Sequence, residues 1–377
     1  MSVRGPQTHE AGVRLGLVGC GPAGPQAMYA PILPLLEHGR VVALCDPDDK
    51  ALDFMASRYG PFDCYHDLDT MLAAAEIDAV IVASPVFLHA RHAAQCAGAG
   101  KHVLCEKPLA ATMAECDAIA AAAASSAVLL MPAHVRRFDK SIELAGRLVR
   151  EGRLGRLFHI DVETSWCHDL SPLGRNWRQS RLTLGGIFQD NGCHAIDLCR
   201  LWAGDIVSVS GEARILRADW EVDTCAWAVL RHRDGVVSTL AMSNMSQRPM
   251  VERYLLEGTE ASLEIAFGPA AKYSSPEPFA ITLWEGGKRS TDLTLYNLGN
   301  VDEEQRVHGM YRRQIDAFCA AILARDHPPV GAADGRAAVE AINALYVATA
   351  EGRSVTLPLA AQPDLAAALD GIGRIMH

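Results

Sequence analysis

Apolar positions follow two different rhythms along this chain. Over the first third, short and nearly unbroken apolar runs alternate with Ala-rich stretches of helical spacing. The runs are VRLGLVGCG (13–21), RVVALCD (40–46), DAVIVAS (78–84), KHVLCEKP (101–108) and AVLLMPAHV (127–135). Runs of this kind are strands buried on both faces, and strand, helix, strand at this cadence predicts a parallel sheet covered on both sides. Right-handed crossovers make it doubly wound, an α/β arrangement. From about residue 156 the pattern changes to strand-like segments, RLFHIDVETSW, VSVSGEARIL, TCAWAVLRH, VVSTLAMSNM, YLLEGTEASLEIAF and FAITLWEGG. Turns as short as RDG (233–235) and EGG (285–287) join them, which favours antiparallel neighbours. Two helical stretches follow, 310–325 and 333–351. In the first, Ile315, Phe318, Cys319 and Ile322 share a face that reads as packing.

Composition adds limits rather than detail. At 377 residues the chain exceeds what one core usually serves, so two domains are expected, 1–137 and 138–377. Hydrophobic residues make up 49% and charged residues 21%, an ordinary globular balance. A net charge of −10 argues against a nucleic-acid partner, because phosphate binding relies on a surplus of Lys and Arg. The opening MSVRGPQTHEAG lacks the apolar core of a signal peptide or anchor, and no apolar run approaches the ~20 residues of a spanning helix. No membrane partner is therefore expected. Eleven cysteines without a CxxC pair, most among apolar neighbours, read as reduced core residues of a cytoplasmic protein. A broad sheet with few helices leaves one face to cover, so a homodimer or homotetramer through the second-domain sheet is expected.

Chemistry enters at the strand ends. Gly19, Gly21 and Gly24 form GCGPAG after the first strand, and Asp46 ends the second. Glycines there permit a tight turn and close approach to a pyrophosphate, and the acid accepts ribose hydroxyls while repelling a 2′-phosphate. NAD is thus expected over NADP, with a purely structural turn as the alternative. Pro22 and Pro25 each remove an N–H from this loop. A second motif, CEKPLA, places Glu106 and Lys107 where a parallel sheet opens its ligand crevice. A solvated surface pair is the bland alternative.

In the second half, GGIFQDNGCHAIDL sets Asp190 and His194 four residues apart at a helix start, with Asp197 on the same expected face. Histidine titrates near neutrality and suits proton transfer, and Asp190 one turn earlier is placed to orient the ring. An acid favoured by the helix dipole beside a satisfied histidine is the other reading. No metal is expected, since zinc needs a third ligand that this spacing does not supply. Asp197 reads as a capping or pairing residue, and Arg136 and Arg137 as solvated charges. The polar stretch 165–186, with Trp166, His168, Trp177 and Arg178, suits a sugar whose C–H faces stack while its hydroxyls seek partners, and a surface loop with incidental aromatics is the other reading.

Taken together, GCGPAG, ASPVFLHA (83–90), GKHVLCEKPLA (100–110), EGRLG (151–155) and the GG-D-x-G-x-H-x-x-D pattern at 185–197 resemble the glucose-fructose oxidoreductase / inositol dehydrogenase / MocA family. The likeness runs from about residue 13 to about 355. It implies a Rossmann domain followed by an α+β domain on an open, mostly antiparallel sheet, with the active site between them. The family's cofactor loop falls on Gly19, Gly21 and Gly24, its ribose acid on Asp46, its catalytic lysine on Lys107, and its second-domain Asp and His on Asp190 and His194. Ser84 and Glu106 are expected beside the cofactor. Many relatives carry a His soon after the glycine loop, where this chain has Met28 and Tyr29. The expected activity is NAD-dependent hydride transfer at a secondary hydroxyl of a sugar, inositol or related polyol. The alternatives are an NAD-retaining glycosidase-type reaction on the same scaffold, or a non-catalytic cofactor-binding sensor or assembly protein.

Overall fold

The computed structural model describes residues 12–166, 177–247, 250–267, 280–294 and 303–374. Six strands form the first sheet: β1 (Val13–Val18), β2 (Gly39–Cys45), β3 (Asp63–Tyr65), β4 (Ala79–Val82), β5 (His102–Glu106) and β6 (Leu130–Ala133). All neighbours are parallel, in the order β3-β2-β1-β4-β5-β6. The order reverses direction between β1 and β4, so the crevice of the doubly wound sheet opens at the ends of those two strands. The central strands β1 and β4 are buried on both faces. Leu15, Leu17 and Ile81 point into one core, while Val18, Val80 and Val82 point into the other.

The crossover after β1 departs from the expected helix. Residues Pro22–Tyr29 form wide turns in which the amide of Gln26 reaches the carbonyl of Gly21 and that of Ala30 reaches Pro25, five residues back. A tight 3₁₀ stretch, Ala30–Leu35, follows. Prolines at 22, 25, 31 and 34 lack the amides that a regular ladder would need. The long helix Glu303–Ala324 packs against this crossover, placing Ile315, Phe318 and Cys319 in one core with Leu15 and Leu17. A helix late in the sequence therefore covers part of the first sheet.

The second sheet has ten strands. They comprise β7 (Leu157–Ser165), β8 (Ile206–Ile215), β9 (Cys225–His232), β10 (Val237–Ser243), β11 (Val251–Gly258), β12 (Ala261–Ala266), β13 (Ala280–Glu285), β14 (Lys288–Asp292), and the short β15 (Val355–Thr356) and β16 (Gly373–Arg374). Their order is β14-β13-β12-β11-β7-β10-β9-β8-β15, with β16 also on β8; only β7/β10 and β8/β16 are parallel. Alternate residues, among them Ile160, Val162, Leu240, Met242 and Tyr254, pack on the helices Cys193–Ala203 and Ala332–Glu351. The opposite face carries Trp227, Thr239 and Ala241 with charged pairs such as Arg253 and Asp161 at 2.6 Å.

All ten described cysteines are free, and nine are buried. Among the described residues no helix is long and apolar enough to cross a membrane.

Candidate active site

The glycine loop is held by backbone constraints and opens onto free space. Gly19 has φ +90°, and a Cβ there would lie 2.7 Å from the carbonyl oxygen of Ala83, so only glycine fits. Nothing stands within 4 Å of a Cβ added at Gly21 or Gly24. Packing within the protein does not demand glycine at those two positions, and the room above them suits a diphosphate. The loop is tied to the end of β2, where Asp46 Oδ2 accepts the amide of Cys20 at 2.7 Å and Oδ1 that of Asp48 at 2.9 Å. Each carboxylate oxygen keeps a further lone pair for a ribose hydroxyl. These features fit a dinucleotide. Ser84 lies just past β4, with its hydroxyl 3.0 Å from His92 Nδ1. His89 bridges the strand ends, its ring nitrogens 2.8 Å from the Ser84 carbonyl and 2.9 Å from that of Pro108. Burial pushes this imidazole down to about 4, so the ring is neutral and donates to one carbonyl only.

Lys107 leaves the end of β5 and crosses to the second domain. Its Nζ donates to the backbone oxygen of Asp190 at 2.7 Å and to Oδ1 at 3.1 Å. The other carboxylate oxygen, Oδ2, accepts from Arg178 Nε at 3.0 Å, and that guanidinium lies over the Trp177 ring at 4.3 Å. Burial disfavours both charges of the central pair, but their mutual attraction wins. Asp190, flanked by two cations, is held far below the usual carboxylate range, and the Lys107 ammonium is held above its ordinary value.

His194 sits at the start of the helix Cys193–Ala203 and departs from the expected pairing. Its Nδ1 is buried with no partner among the described residues, and Asp190 does not orient it. Two causes act together. Phe188–Gly192 is a wide turn, which takes Asp190 off the α-helical face, and charged donors outcompete a neutral imidazole N–H for a carboxylate. Burial, Lys107 and Arg136 push the His194 ring well below its ordinary value, so it is neutral at neutral pH.

Asp223, which the sequence reading missed, anchors this segment. Its Oδ2 accepts the amide of Phe188 and its Oδ1 the hydroxyl of Tyr346, both at 2.8 Å, while its carbonyl accepts the amide of Ile187. Gly186, at φ +111°, has no space for a Cβ beside that carboxylate. The glycine pair was the only local signal of so close an approach. Burial drives the Asp223 carboxyl up to about 6.

Asp197 pairs, as expected, through two bonds with Arg137 at 2.8 and 2.6 Å. Arg136 and Arg137 are not solvated: Arg136 joins the buried Glu252 and lies over Phe267, and Arg137 also reaches Asp334. Both lie at the domain junction, where acids from three other elements converge on them. Trp166 packs against the second-domain core, and its amide bonds the Ser243 carbonyl at 2.9 Å. His168 lies outside the described residues. Glu106 bonds within the protein, taking a hydrogen bond from the Tyr29 hydroxyl and the Lys107 amide at 3.0 Å. Among the described residues no cluster of three His, Cys, Asp or Glu side chains is placed to hold a metal ion.

A doubly wound sheet with a glycine loop at its switch point, followed by a second domain built on a mostly antiparallel sheet, is the architecture of an oxidoreductase with an NAD-binding Rossmann fold. Residues 13–134 match the model of an oxidoreductase family with an NAD-binding Rossmann fold, and residues 142–264 match the GFO/IDH/MocA C-terminal domain. The chain belongs to the glucose-fructose oxidoreductase / inositol dehydrogenase / MocA family. It is 27% identical to a D-xylose 1-dehydrogenase (NADP(+)) of Haloferax volcanii over 91% of this chain and 99% of that one. It is 26% identical to a myo-inositol 2-dehydrogenase of Thermotoga maritima over 92% and 98% of the two chains. An aldose-aldose oxidoreductase from Caulobacter crescentus, solved with glycerol, superposes with a TM-score of 0.77 at 25% identity, covering 92% of this chain and all of that one.

Proposed function

We propose that this protein is an NAD-dependent dehydrogenase that moves a hydride between nicotinamide and a secondary hydroxyl of a sugar, inositol or related polyol. One observation carries the reading: an ammonium from the first domain, Lys107, is locked to Asp190 of the second, and the neutral ring of His194 lies one turn further on. Gly19, Gly21, Gly24, Asp46, Ser84 and Glu106 would hold the cofactor, which when bound accepts or donates the hydride at its nicotinamide ring. The protein's own groups handle the proton. His194 takes the hydroxyl proton on Nε2, because its Nδ1 is the buried nitrogen. Lys107 spends two of its three N–H donors on Asp190 and keeps one for the substrate oxygen, stabilising developing negative charge. Arg178 fixes Asp190 from the far side and lies over Trp177, whose ring offers a face for sugar C–H groups. Incubating the protein with NAD or NADP and a polyol panel, with absorbance read at the reduced-nicotinamide band, tests the reading. Net reduction of NAD by at least one polyol supports it, and none with either cofactor removes it.

Asp46 is the residue proposed to select NAD, since its carboxylate would repel a 2′-phosphate. Asp46→Ala is expected to shrink the NAD-over-NADP preference at least tenfold in kcat/KM; an unaltered ratio takes that role away. A homodimer or homotetramer formed through the outer face of the second sheet fits the partly apolar surface around Trp227, which is 46% exposed. Sedimentation of the full chain checks this, and a monomer at micromolar concentration contradicts it. The buried free thiols suit a cytoplasmic protein, and fractionating the source cells checks that placement.

A further inference from the structure

We propose that Tyr29 is a positioning residue for Lys107, linking the turn after the glycine loop to the lysine through Glu106. Tyr29 closes the wide turn Pro22–Tyr29 and is 1% exposed, its ring set edge-on to Tyr311 at 5.3 Å. Packing alone would be satisfied by phenylalanine. A hydroxyl buried that deeply needs a partner, and this one donates to Glu106 Oε1. The second oxygen of the same carboxylate accepts the amide of Lys107 at 3.0 Å. From Tyr29, which ends the turn, hydrogen bonds join its hydroxyl to Glu106, Glu106 to the Lys107 amide, and the Lys107 ammonium to Asp190.

Electrostatics gives the link a direction. Burial raises the Glu106 carboxyl, while Lys107 and the Tyr29 hydrogen bond hold it down; Asp190, across the crevice, is the other acid facing it. Without the hydroxyl, Glu106 takes up a proton at higher pH. A protonated Glu106 no longer adds to the field that keeps Lys107 charged, and it holds the lysine amide less firmly.

The inference rests on the reading of Lys107 given under the proposed function, so its test has one arm that needs no turnover. In the holoenzyme, Tyr29→Phe is expected to lower kcat about tenfold with the KM for NAD unchanged, as befits one lost hydrogen bond to a charged group. The acid limb of its pH profile should move to higher pH. In the cofactor-free protein, acylation of the Lys107 amine by an activated ester, read by peptide mass spectrometry, should run several-fold faster in the variant. Wild-type turnover, pH profile and acylation rate in Tyr29→Phe would reduce the residue to packing and overturn the proposal. If the wild type turns over no polyol, the functional reading fails and the acylation arm alone decides the link. Should Tyr29→Phe fail to fold, Glu106→Gln substitutes for it, because it removes the negative charge that stands between Tyr29 and Lys107 and helps keep the lysine protonated; unchanged acylation there overturns the proposal equally.

Discussion

Lys107→Ala is expected to cut polyol turnover at least a hundredfold while NAD still binds with nearly its original affinity. The lysine provides the N–H left over after two are committed to Asp190, aimed at the oxygen where charge develops. Donors of that kind are worth about 10²–10³ in rate, roughly 3–4 kcal/mol of barrier. Asp190 would survive the change ionised, because Arg178 still bonds Oδ2. The loss would therefore report the missing donor, not a collapsed site. Steady-state kinetics together with quenching of protein fluorescence by NADH separates the two quantities. Turnover within tenfold of wild type would show that Lys107 is not the group acting on the substrate. Lys107→Arg should rescue little, since a planar guanidinium cannot replace a compact ammonium in this pocket.

His194→Ala is expected to be as damaging, because positioned general bases contribute about 10²–10⁴ in rate. A pH profile adds a second, sharper expectation. The working form of the base is the neutral ring, and protonation removes it. Burial, Lys107 and Arg136 favour the neutral form, so the folded pKa lies well below 6.5 and oxidation should keep its rate as pH drops through 6.5, failing only further into acid. An acid limb centred at or above 6.5 that vanishes in the variant would mean that the ring is less buried in the working enzyme than it is here. Full activity of the variant at neutral pH would assign the proton to another group.

The periodic part of this architecture was legible in the chain itself. Five apolar runs gave five of the six parallel strands. The sixth, β3 (Asp63–Tyr65), is two exposed residues and one half-buried, with no apolar signal. The segment YLLEGTEASLEIAF became two strands, β11 and β12, because Gly258 to Glu260 turn the chain back on itself. Pro22 and Pro25 stood out as missing amides, yet how the crossover would respond, and that Glu303–Ala324 would pack against it, lay beyond any local pattern.

For the candidate site, the sequence offered Lys107, Asp190 and His194, and the roles proposed for them come from residue chemistry and family likeness. It paired the wrong two. Spacing of four residues joined Asp190 to His194, whereas the fold brings Asp190 to Lys107, 83 positions earlier, and to Arg178 on a preceding turn. Asp223 and Tyr29 carried no motif at all, and each acts through a contact whose partner lies far along the chain or in another element.

What the sequence determined by itself was most of the regular elements and the inventory of reactive groups, because hydrophobic period and side-chain chemistry are local properties. Which charges meet was decided only in three dimensions. A buried ammonium or carboxylate settles against the strongest counter-charge that the packed domains bring within reach, and that choice is made between elements instead of along them.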